Sequence, residues 1–414
     1  MKFIHAADLH LDSPFLGLKQ LPQSLWEQIY QSPFTALTRM VDDAINEKID
    51  FMLISGDVYD RQDRAIGAQA AFLTQMNRLD QAKIPVYLSY GNHDYLTGTT
   101  DTLQLPPNVH AFDETVSTQT LTTTDQTTVA ITGFSYANRA VTTDMIPDYP
   151  VRQPGVDVAI GMLHGSVASV DAPHATYAPF SLPELTSKHY DYWALGHIHK
   201  RQVLQETPWV IYAGNLQGRH ANETGAKGYY LVTDDHGTLT PQFRAVAPVI
   251  WQTVTVDCSQ TTDSDGVLAA IQAQLVDEQQ TDDLMLVAVT LTKTAGLPET
   301  VRTRLTNDSL LTVLQTQQVH RLQNGHGRMV VSLRVEEIAA TPAFSTLDQT
   351  YWTQAAESVF TPENITALAD QLLAETAIDD AVKMASVAAL KTAAETLINQ
   401  ESVGVSNENH TSTH

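Results

Sequence analysis

Short apolar runs alternate with amphipathic stretches from Met1 to about Ala247. A run of about four to eight apolar residues is typical of a buried strand, whereas apolar positions three and four residues apart are typical of a helix on a sheet. The alternation therefore predicts a layered α/β domain over residues 1–247. We expect helices at Phe34–Lys48 and Ala65–Gln81. The expected strands are Phe3–Ala6, Phe51–Ile54, Val86–Ser89, Val129–Thr132, Val156–Gly161, Tyr192–Leu195, Trp209–Ala213 and Gly228–Val232.

The pattern of apolar and polar positions changes after Pro248, and residues 248–340 are predicted to form a small α+β module. Its expected elements are strands at Trp251–Val256, Leu284–Thr292 and Arg328–Val335 and a helix at Gly266–Val276. Residues 341–400 are Ala-rich and predicted helical, with Thr361 as an N-cap and Pro362 at the first helical position. The apolar stripe of this segment suits either a core or a docking face for a partner helix. Residues 401–414 are polar and expected to be disordered.

Metal-ligand residue types follow five of the predicted strands of the first domain. They are Asp8-Leu9-His10, Gly56-Asp57, Gly91-Asn92-His93-Asp94, His164 and His197-Ile198-His199. Because the carboxyl ends of neighbouring strands in an open sheet line one crevice, we expect these side chains to converge. The mixture of Asp, Asn and His suits Mn, Fe, Zn or Co better than Mg or Ca, which prefer all-oxygen ligands.

The candidate ligands are too many for one ion and fit two. Two cations about 3.5–4 Å apart repel each other, and a shared anionic ligand offsets that repulsion. Asp57 is the candidate bridge, since Gly56 lets the chain turn sharply and present it at the strand end. Such a pair of ions would generate a nucleophile at neutral pH and hold a phosphate for in-line attack.

Composition limits the partners of this chain. The 414 residues carry a formal net charge of −23, which argues against nonspecific nucleic-acid binding by the whole surface. A local basic set softens that objection. It comprises Arg61, Arg64, Lys200, Arg201, Arg219 and Lys227. Three features predict a cytoplasmic protein without membrane attachment. The chain has a single cysteine, Cys258, it has no apolar run of ~18–20 residues, and its N-terminus lacks a signal-peptide pattern.

The ordered motifs resemble the calcineurin-like metallophosphoesterase superfamily. They are Asp8-x-His10, Gly56-Asp57-x-x-Asp60, Gly91-Asn92-His93-Asp94, His164 and His197-x-His199. The opening Ile4–Phe15 is similar to the SbcD group of DNA repair nucleases, and Tyr212–His220 is similar to a segment of the YhaO type. The resemblance covers Met1 to about Val232. It implies a layered β-sandwich flanked by helices, then a small α+β capping module and C-terminal helices.

The resemblance also implies roles for single residues. One ion would be held by Asp8, His10, Asp57 and His199, and the other by Asp57, Asn92, His164 and His197. Mn²⁺ is the expected metal, with Fe or Zn as alternatives. His93 would protonate the leaving oxygen, as its titration range allows.

Asp60 departs from the nucleases of archaea and eukaryotes in this group, where a His commonly stands three residues after the bridging Asp. A carboxylate at this place is a feature of the calcineurin-like phosphatases. We expect Asp60 to orient His93 and raise its pKa, with a solvated loop Asp as the alternative. Arg61, Arg219 and His220 are the candidate substrate-binding residues, and Arg61 could contact a substrate phosphate through two hydrogen bonds.

Three functions fit the sequence. The first is a metal-dependent DNA exonuclease, with endonuclease activity open, that acts in repair with an SbcC-like coiled-coil ATPase. Residues 248–340 would then cap the nuclease domain and recognise DNA, residues 341–400 would dock on the ATPase, and dimerisation would be expected from the family. The second is a phosphoesterase for nucleotides or other small substrates. The third is a non-catalytic scaffold, which the complete ligand set disfavours.

Overall fold

Strands and helices alternate along the first part of the chain in the computed structural model. The model describes residues 1–61, 64–96, 103–168, 177–235, 237–275, 283–319, 322, 327–336, 358–359, 361 and 364. The strands of the described residues are β1 (Lys2–Ala6), β2 (Phe51–Ser55), β3 (Val86–Ser89), β4 (Val109–Ala111), β5 (Ser117–Thr122), β6 (Thr128–Gly133), β7 (Val158–His164), β8 (Tyr192–Gly196), β9 (Gln202–Glu206), β10 (Trp209–Tyr212), β11 (Gly228–Asp235), β12 (Thr238–Ala245), β13 (Val249–Asp257), β14 (Leu284–Thr292) and β15 (Gly327–Val335). The helices of the same residues are α1 (Gln23–Glu47), α2 (Ile66–Gln81), α3 (Leu182–Ser187), α4 (Ser264–Gln274), α5 (Glu299–Thr306) and α6 (Ser309–Val319).

Two six-stranded sheets form a β-sandwich. The first has the order β12-β11-β1-β2-β3-β4 and the second the order β5-β6-β7-β8-β10-β9. In the first sheet β1, β2, β3 and β4 run parallel, and in the second β6, β7, β8 and β10 run parallel. Antiparallel pairing occurs at the β11–β12 side of the first sheet and at both edges of the second sheet, where β5 and β9 lie. The layered β-sandwich expected from the sequence is therefore confirmed.

The core lies in layers on both sides of each sheet. Between the sheets, Phe3 and Phe51 of the first sheet are fully buried in one cluster with Ile160 and Tyr192 of the second. On the outer face of the first sheet, α1 and α2 bury residues such as Met40, which packs in a cluster with strand residues of β1, β2 and β3. Alternate strand residues thus face two different apolar layers, which explains why these strands are nearly continuous apolar runs.

Helix α1 begins well before the predicted start at Phe34 and passes through Pro33. A proline inside a helix leaves the carbonyl four residues earlier without its N–H donor. Here the hydroxyl of Ser32, which is fully buried, donates to the carbonyl of Ile29 at 2.6 Å. A side chain therefore replaces the missing backbone donor, and the helix continues through the proline.

A third sheet begins at Val249, with the order β13-β14-β15, and β13 and β14 pair in parallel around α4. This α+β module packs against the segment that leads into α1. Val249 and Trp251 share an apolar cluster with Phe15, Leu21 and Leu25. The module and the sandwich thus belong to one compact unit, Met1–Arg334, and Val335–His414 form a second unit.

The predicted helical segment at 341–400 and the tail at 401–414 lie almost entirely outside the described residues. Thr361 is described, and its hydroxyl accepts a hydrogen bond from the N–H of Asn364 at 3.2 Å, which is the expected N-cap contact. Within the described ranges, none of the helices is long and apolar enough to span a bilayer.

Candidate metal centre

The predicted ligands come from the carboxyl ends of strands in both sheets. Asp8 and His10 follow β1, Asp57 follows β2, and Asn92 follows β3 in the first sheet, whereas His164 ends β7 in the second. His197 and His199 follow β8 of the second sheet. The expectation of one crevice along one open sheet was therefore too simple. The ligands meet where the edges of two packed sheets face each other.

Several ligands have left-handed backbone conformations. The φ angles are 52° at Asp8, 43° at His10, 51° at Asp57 and 94° at His197. Residues other than glycine adopt such angles at a cost of order 1–3 kcal/mol each, and they cluster at functional sites. Hydrogen bonds hold the strained loops together, from Asp8 N to the carbonyl of Gly56 and from His10 N to the carbonyl of Asp57, both 3.1 Å.

The glycines of the motifs let these ligands approach one another. A Cβ atom on Gly91 would lie 2.2 Å from Oδ1 of Asp57, and one on Gly56 would lie 2.1 Å from Nδ1 of His164. Both distances are far below any real contact, so only glycine fits at either position. The Gly-Asp and Gly-Asn-His-Asp motifs therefore reflect the packing of one ligand against the backbone of the next.

The first cluster of ligands consists of Asp8, His10, Asp57 and His199, whose donor atoms all lie within 4.8 Å of one another. The Nε2 atoms of His10 and His199 are 3.1 Å apart. Behind them, Nδ1 of His199 lies 2.6 Å from Oε1 of Glu223, and Nδ1 of His10 lies 3.2 Å from Oδ1 of Asp60. A carboxylate thus lies behind each imidazole, and such outer partners commonly orient metal-binding histidines.

The second cluster gathers around the amide oxygen of Asn92. Nε2 of His164 lies 3.0 Å from this oxygen and Nδ1 of His197 lies 3.2 Å from it. His164 turns its other nitrogen, Nδ1, to the main-chain carbonyl of Ser55 at 3.1 Å. The predicted second set is thus brought together, with Asp57 3.3 Å from His164.

Asp57 stands between the two clusters. Its Oδ2 lies 3.3 Å from Nε2 of His164 and 3.8 Å from Nε2 of His10, while Oδ1 accepts a hydrogen bond from the N–H of His93 at 3.0 Å. One oxygen of Asp57 thus faces Nε2 atoms of both clusters, whereas Asp8 Oδ1 lies 3.8 Å from Nδ1 of His164, the nitrogen that contacts Ser55. The position of Asp57 suits the predicted bridge.

The charges of the centre favour a bound cation. Burial alone would raise the pKa of Asp57, but His164 and His93 hold it well below its usual value. Burial opposes protonation of His164, yet Asp57 and Asp8 raise its pKa to about 9. Burial lowers the pKa of both His10 and His197 to about 3, so these two rings are neutral ligands at neutral pH.

The donor set fits divalent metal ions. Asp8 and Asp57 are buried carboxylates, 0% and 1% exposed, that lie beside imidazoles and main-chain groups. The imidazoles of His10, His164 and His199 each direct one nitrogen outward to an acceptor and the other toward the partner ligands. Buried charge of this kind requires compensation, and borderline divalent metals match this oxygen and nitrogen set.

His93 lies at the margin of both clusters and is half-buried. Its Nδ1 lies 2.8 Å from the main-chain carbonyl of Asp60, which makes Nδ1 the hydrogen-bond donor. The backbone of Asp60 thus contributes to the orientation of His93. The Asp60 carboxylate lies within 4.8 Å of His93 but is bound to Arg219 at 2.6 Å.

The candidate substrate residues occupy different environments. Arg61 is exposed, and His220 is 36% exposed with Nε2 3.4 Å from Glu223. The guanidinium of Arg219 is 9% exposed and pairs with Asp60. Of the basic set, Arg64 is also buried, over the ring of Tyr90, and Lys227 donates to the carbonyl of His199 at 2.9 Å. Arg64, Arg219 and Lys227, which are half of the basic set, therefore make contacts within the protein and are largely shielded from solvent.

Two supporting carboxylates were not predicted. Glu223 accepts from Asn215 at 2.7 Å and from Arg219 N at 2.6 Å in addition to contacting His199. Burial would raise its pKa, but His199 and the charge of Arg219 hold that pKa well below its usual value. Asp94 accepts from the N–H groups of Gly91 and Val58 at 2.8 and 2.7 Å, and burial raises its pKa to about 6. Asp94 belongs to the Gly91–Asp94 motif, so the sequence contained a signal for it. Glu223 follows no predicted strand, so no sequence pattern indicated its role.

Comparisons with known proteins agree with this centre. The Calcineurin-like phosphoesterase family matches residues 1–201. The chain is 37% identical over 339 residues to the uncharacterized metallophosphoesterase YhaO of Bacillus subtilis, which covers 81% of each protein. It is 22% identical to the DNA double-strand break repair protein Mre11 of Thermoplasma acidophilum, over 60% of this chain and 66% of that protein. The Mre11 protein of Sulfurisphaera tokodaii is 26% identical over 48% of this chain and 50% of its own length.

The family match spans the strands and loops that carry Asp8, Asp57, Asn92, His164 and His199. The similarity to the Bacillus subtilis protein extends far beyond that domain, over four-fifths of both chains. We conclude that the chain belongs to the calcineurin-like metallophosphoesterases, a family of metal-dependent phosphoester hydrolases.

Proposed function

We propose that this protein is a two-metal nuclease that hydrolyses phosphodiester bonds of DNA, acting as an exonuclease in DNA repair. The observation that carries the proposal is the position of Asp57 Oδ2, 3.3 Å from a histidine of one cluster and 3.8 Å from a histidine of the other. Two adjacent sites that share one carboxylate are the arrangement of two-metal phosphoester hydrolysis. The similarity to proteins named for DNA double-strand break repair supports DNA as the substrate.

In this proposal the residues of the centre have distinct roles. Asp8, His10, Asp57 and His199 would hold one ion, and Asp57, Asn92, His164 and His197 the other, with Mn²⁺ as the proposed metal and Fe or Zn as alternatives. When bound, the ions supply an activated water nucleophile and positive charge for the phosphate. His93, whose Nδ1 is fixed by the carbonyl of Asp60 at 2.8 Å, would donate a proton from Nε2 to the leaving oxygen.

The remaining parts of the chain are assigned by the same proposal. Arg61, Arg219 and His220 are the candidate contacts with the DNA backbone. Residues 1–247 would form the nuclease domain, residues 248–340 would cap it and recognise DNA, and residues 341–400 would dock on an SbcC-like ATPase. The partner would supply the DNA-binding surface that a chain with net charge −23 lacks. A homodimer and a cytoplasmic location complete the proposal.

A second function is favoured by the inward-facing basic residues. Arg64, Arg219 and Lys227 are 7%, 9% and 6% exposed, so they offer little charge to a long polyanion. A phosphodiesterase for nucleotides or other small phosphoesters would need no extended basic surface. The metal clusters themselves serve both functions equally well.

One assay separates the two functions. The full chain with Mn²⁺ is incubated with end-labelled duplex DNA and, separately, with bis-p-nitrophenyl phosphate, each with and without the ATPase partner. A nuclease releases labelled mononucleotides or short fragments, and the His93→Ala variant slows this release ~10²–10⁴-fold. Hydrolysis of the small ester without any DNA degradation, even with the ATPase present, would contradict the nuclease and support the small-substrate function.

A further inference from the structure

One guanidinium connects the carboxylates behind the two histidines of the first cluster. Nη1 of Arg219 lies 2.6 Å from Oδ1 of Asp60, and Nη2 lies 3.1 Å from Nδ1 of His199 and 3.4 Å from Oε1 of Glu223. The same Asp60 oxygen is 3.2 Å from Nδ1 of His10, and the same Glu223 oxygen is 2.6 Å from Nδ1 of His199. Since the Nε2 atoms of the two histidines are 3.1 Å apart, these five side chains form a closed ring.

We call Asp60, Arg219 and Glu223 the Arg219 clip. Its three charged side chains are 10%, 9% and 6% exposed, so water competes little for their contacts. Ion pairs shielded in this way hold their geometry better than exposed ones, and a planar guanidinium sets the angle between the two carboxylates. The clip therefore fixes the orientation of both imidazole rings, and with it the direction of the lone pairs that face the first metal site.

The second cluster is supported differently. Nδ1 of His164 contacts the main-chain carbonyl of Ser55 at 3.1 Å, and His197 turns Nδ1 toward Asn92. The contacts of the clip with ligand histidines are those with His10 and His199 of the first cluster. A change in the clip should consequently affect one metal site and leave the other as it was.

The loop that carries Arg219 and Glu223 is anchored to the third sheet. Nε1 of Trp251 donates to the carbonyl of Gly218 at 3.0 Å, and the N–H of Gly225 donates to the carbonyl of Trp251 at 2.9 Å. A Cβ atom on Gly218 would lie 2.7 Å from the carbonyl oxygen of Glu223, so the loop is tightly folded on itself. The clip is thus held in place by the fold and requires no substrate to form.

We propose that Arg219, together with Glu223, is a positioning residue that sets the affinity of the first cluster for its metal ion. This inference rests on the two-metal site of the proposed function and is independent of DNA as the substrate. It gives Arg219 a principal role that differs from contact with a substrate phosphate. The two roles predict different changes on substitution, because positioning acts on metal affinity and substrate contact acts on KM.

The test is a Mn²⁺ titration by equilibrium dialysis of the full chain carrying Arg219→Met or Glu223→Gln. For each variant, one of the two ions should bind about 10–100-fold more weakly, as is typical when an outer partner of a metal ligand is lost. The second ion should keep the wild-type affinity. Matched controls are Arg302→Met and Glu299→Gln, which break an exposed ion pair on α5 and should leave both affinities unchanged.

Other outcomes would overturn the proposal. Wild-type affinity for both ions in both variants, with a raised KM for bis-p-nitrophenyl phosphate in Arg219→Met, would make Arg219 a substrate ligand. If Arg219→Met loses its fold by circular dichroism, Glu223→Gln decides, because it keeps the side-chain shape and an acceptor oxygen for His199. Equal weakening of both ions in that variant would contradict a site-specific role. A wild-type protein that binds two ions but leaves DNA intact would contradict only the proposed nuclease.

Discussion

Asp57 and His164 face each other across the two sheets, with Oδ2 of Asp57 3.3 Å from Nε2 of His164. Asp57 follows the second strand of the first sheet, and His164 ends a strand of the second sheet. The centre therefore depends on the packing of the sandwich as much as on either loop. This relationship also controls protonation, because the carboxylate stabilises the charged form of the imidazole.

Metal binding should weaken as the pH falls below about 9. The pKa of His164 is raised to about 9, so at neutral pH its ring carries a proton that an ion must displace. His10 and His197, with pKa values lowered to about 3 mainly by burial, release none. We expect about one proton released per chain from the histidine ligands and a roughly tenfold loss of affinity per pH unit below 9.

Calorimetric titration with Mn²⁺ in two buffers of different ionisation enthalpy counts the released protons. The His164→Asn variant serves as the comparison, because it lacks the protonated ring and should show a smaller buffer dependence. Identical heats in both buffers for the wild-type protein would contradict the assigned protonation of His164.

His93→Gln should retain both metal ions and lower turnover. The side chain lies outside the two sets of ligands, and loss of a general acid typically slows a reaction ~10²–10⁴-fold. The effect should be larger for DNA, whose alkoxide leaving group needs a proton, than for a p-nitrophenolate leaving group. Parallel metal analysis and turnover measurements on both substrates test this. Loss of an ion, or equal slowing of both substrates, would be inconsistent with an acid role.

Asp60→Asn should leave His93 oriented but weaken the first metal site. The carbonyl that holds Nδ1 of His93 belongs to the backbone and survives the substitution. The carboxylate that contacts His10 and Arg219 becomes neutral. We therefore expect about 10–100-fold weaker binding of one ion and restored turnover at high Mn²⁺. A turnover defect that saturating Mn²⁺ fails to correct would show instead that the Asp60 charge acts on His93.

Ser32→Ala should destabilise the fold by about 1–2 kcal/mol, because it leaves the buried carbonyl of Ile29 without a donor. Pro33 has no N–H to replace the lost hydroxyl, and Ser32 is fully buried. Thr35→Ala is the control, since it removes a similar hydroxyl-to-carbonyl bond of 3.2 Å on the exposed face of the same helix. Urea unfolding of both variants measures the difference. An equal change in the two would contradict the role given to Ser32.

Much of the candidate site could be predicted from the sequence because its residues directly follow buried strands. Apolar runs place Asp57, Asn92 and His164 at the carboxyl ends of buried strands, and the motif order predicts them as metal ligands. Edge strands such as β9 and β12 escaped prediction because their half-exposed residues do not form apolar runs. The start of α1 escaped because a proline normally ends a helix, and only the structure shows the hydroxyl of Ser32 in the place of the lost donor.

The supporting residues could not be predicted for a different reason. Glu223 stands in a loop without periodicity, and its partner His199 lies 24 positions earlier in the chain. From the sequence alone, Arg219 is expected to be an exposed cation. Its contacts with Asp60 and Glu223 depend on the loop conformation that the third sheet stabilises, which the sequence does not show. The pairing of the Asp60 carboxylate with His93 stays a prediction, and the contact of the Asp60 carbonyl with His93 could not be predicted, because a sequence pattern does not show where a backbone carbonyl points.

The shared position of Asp57 is the central claim, and the count of bound Mn²⁺ in Asp57→Asn tests it most directly. Wild-type protein and the control Asp257→Asn, which alters an exposed ion pair with Lys293, should each bind two ions per chain. Asp57→Asn should lose high-affinity binding of both ions together. If Asp57→Asn instead retains one ion at wild-type affinity, the carboxylate belongs to a single site and the proposed bridge between two ions is wrong.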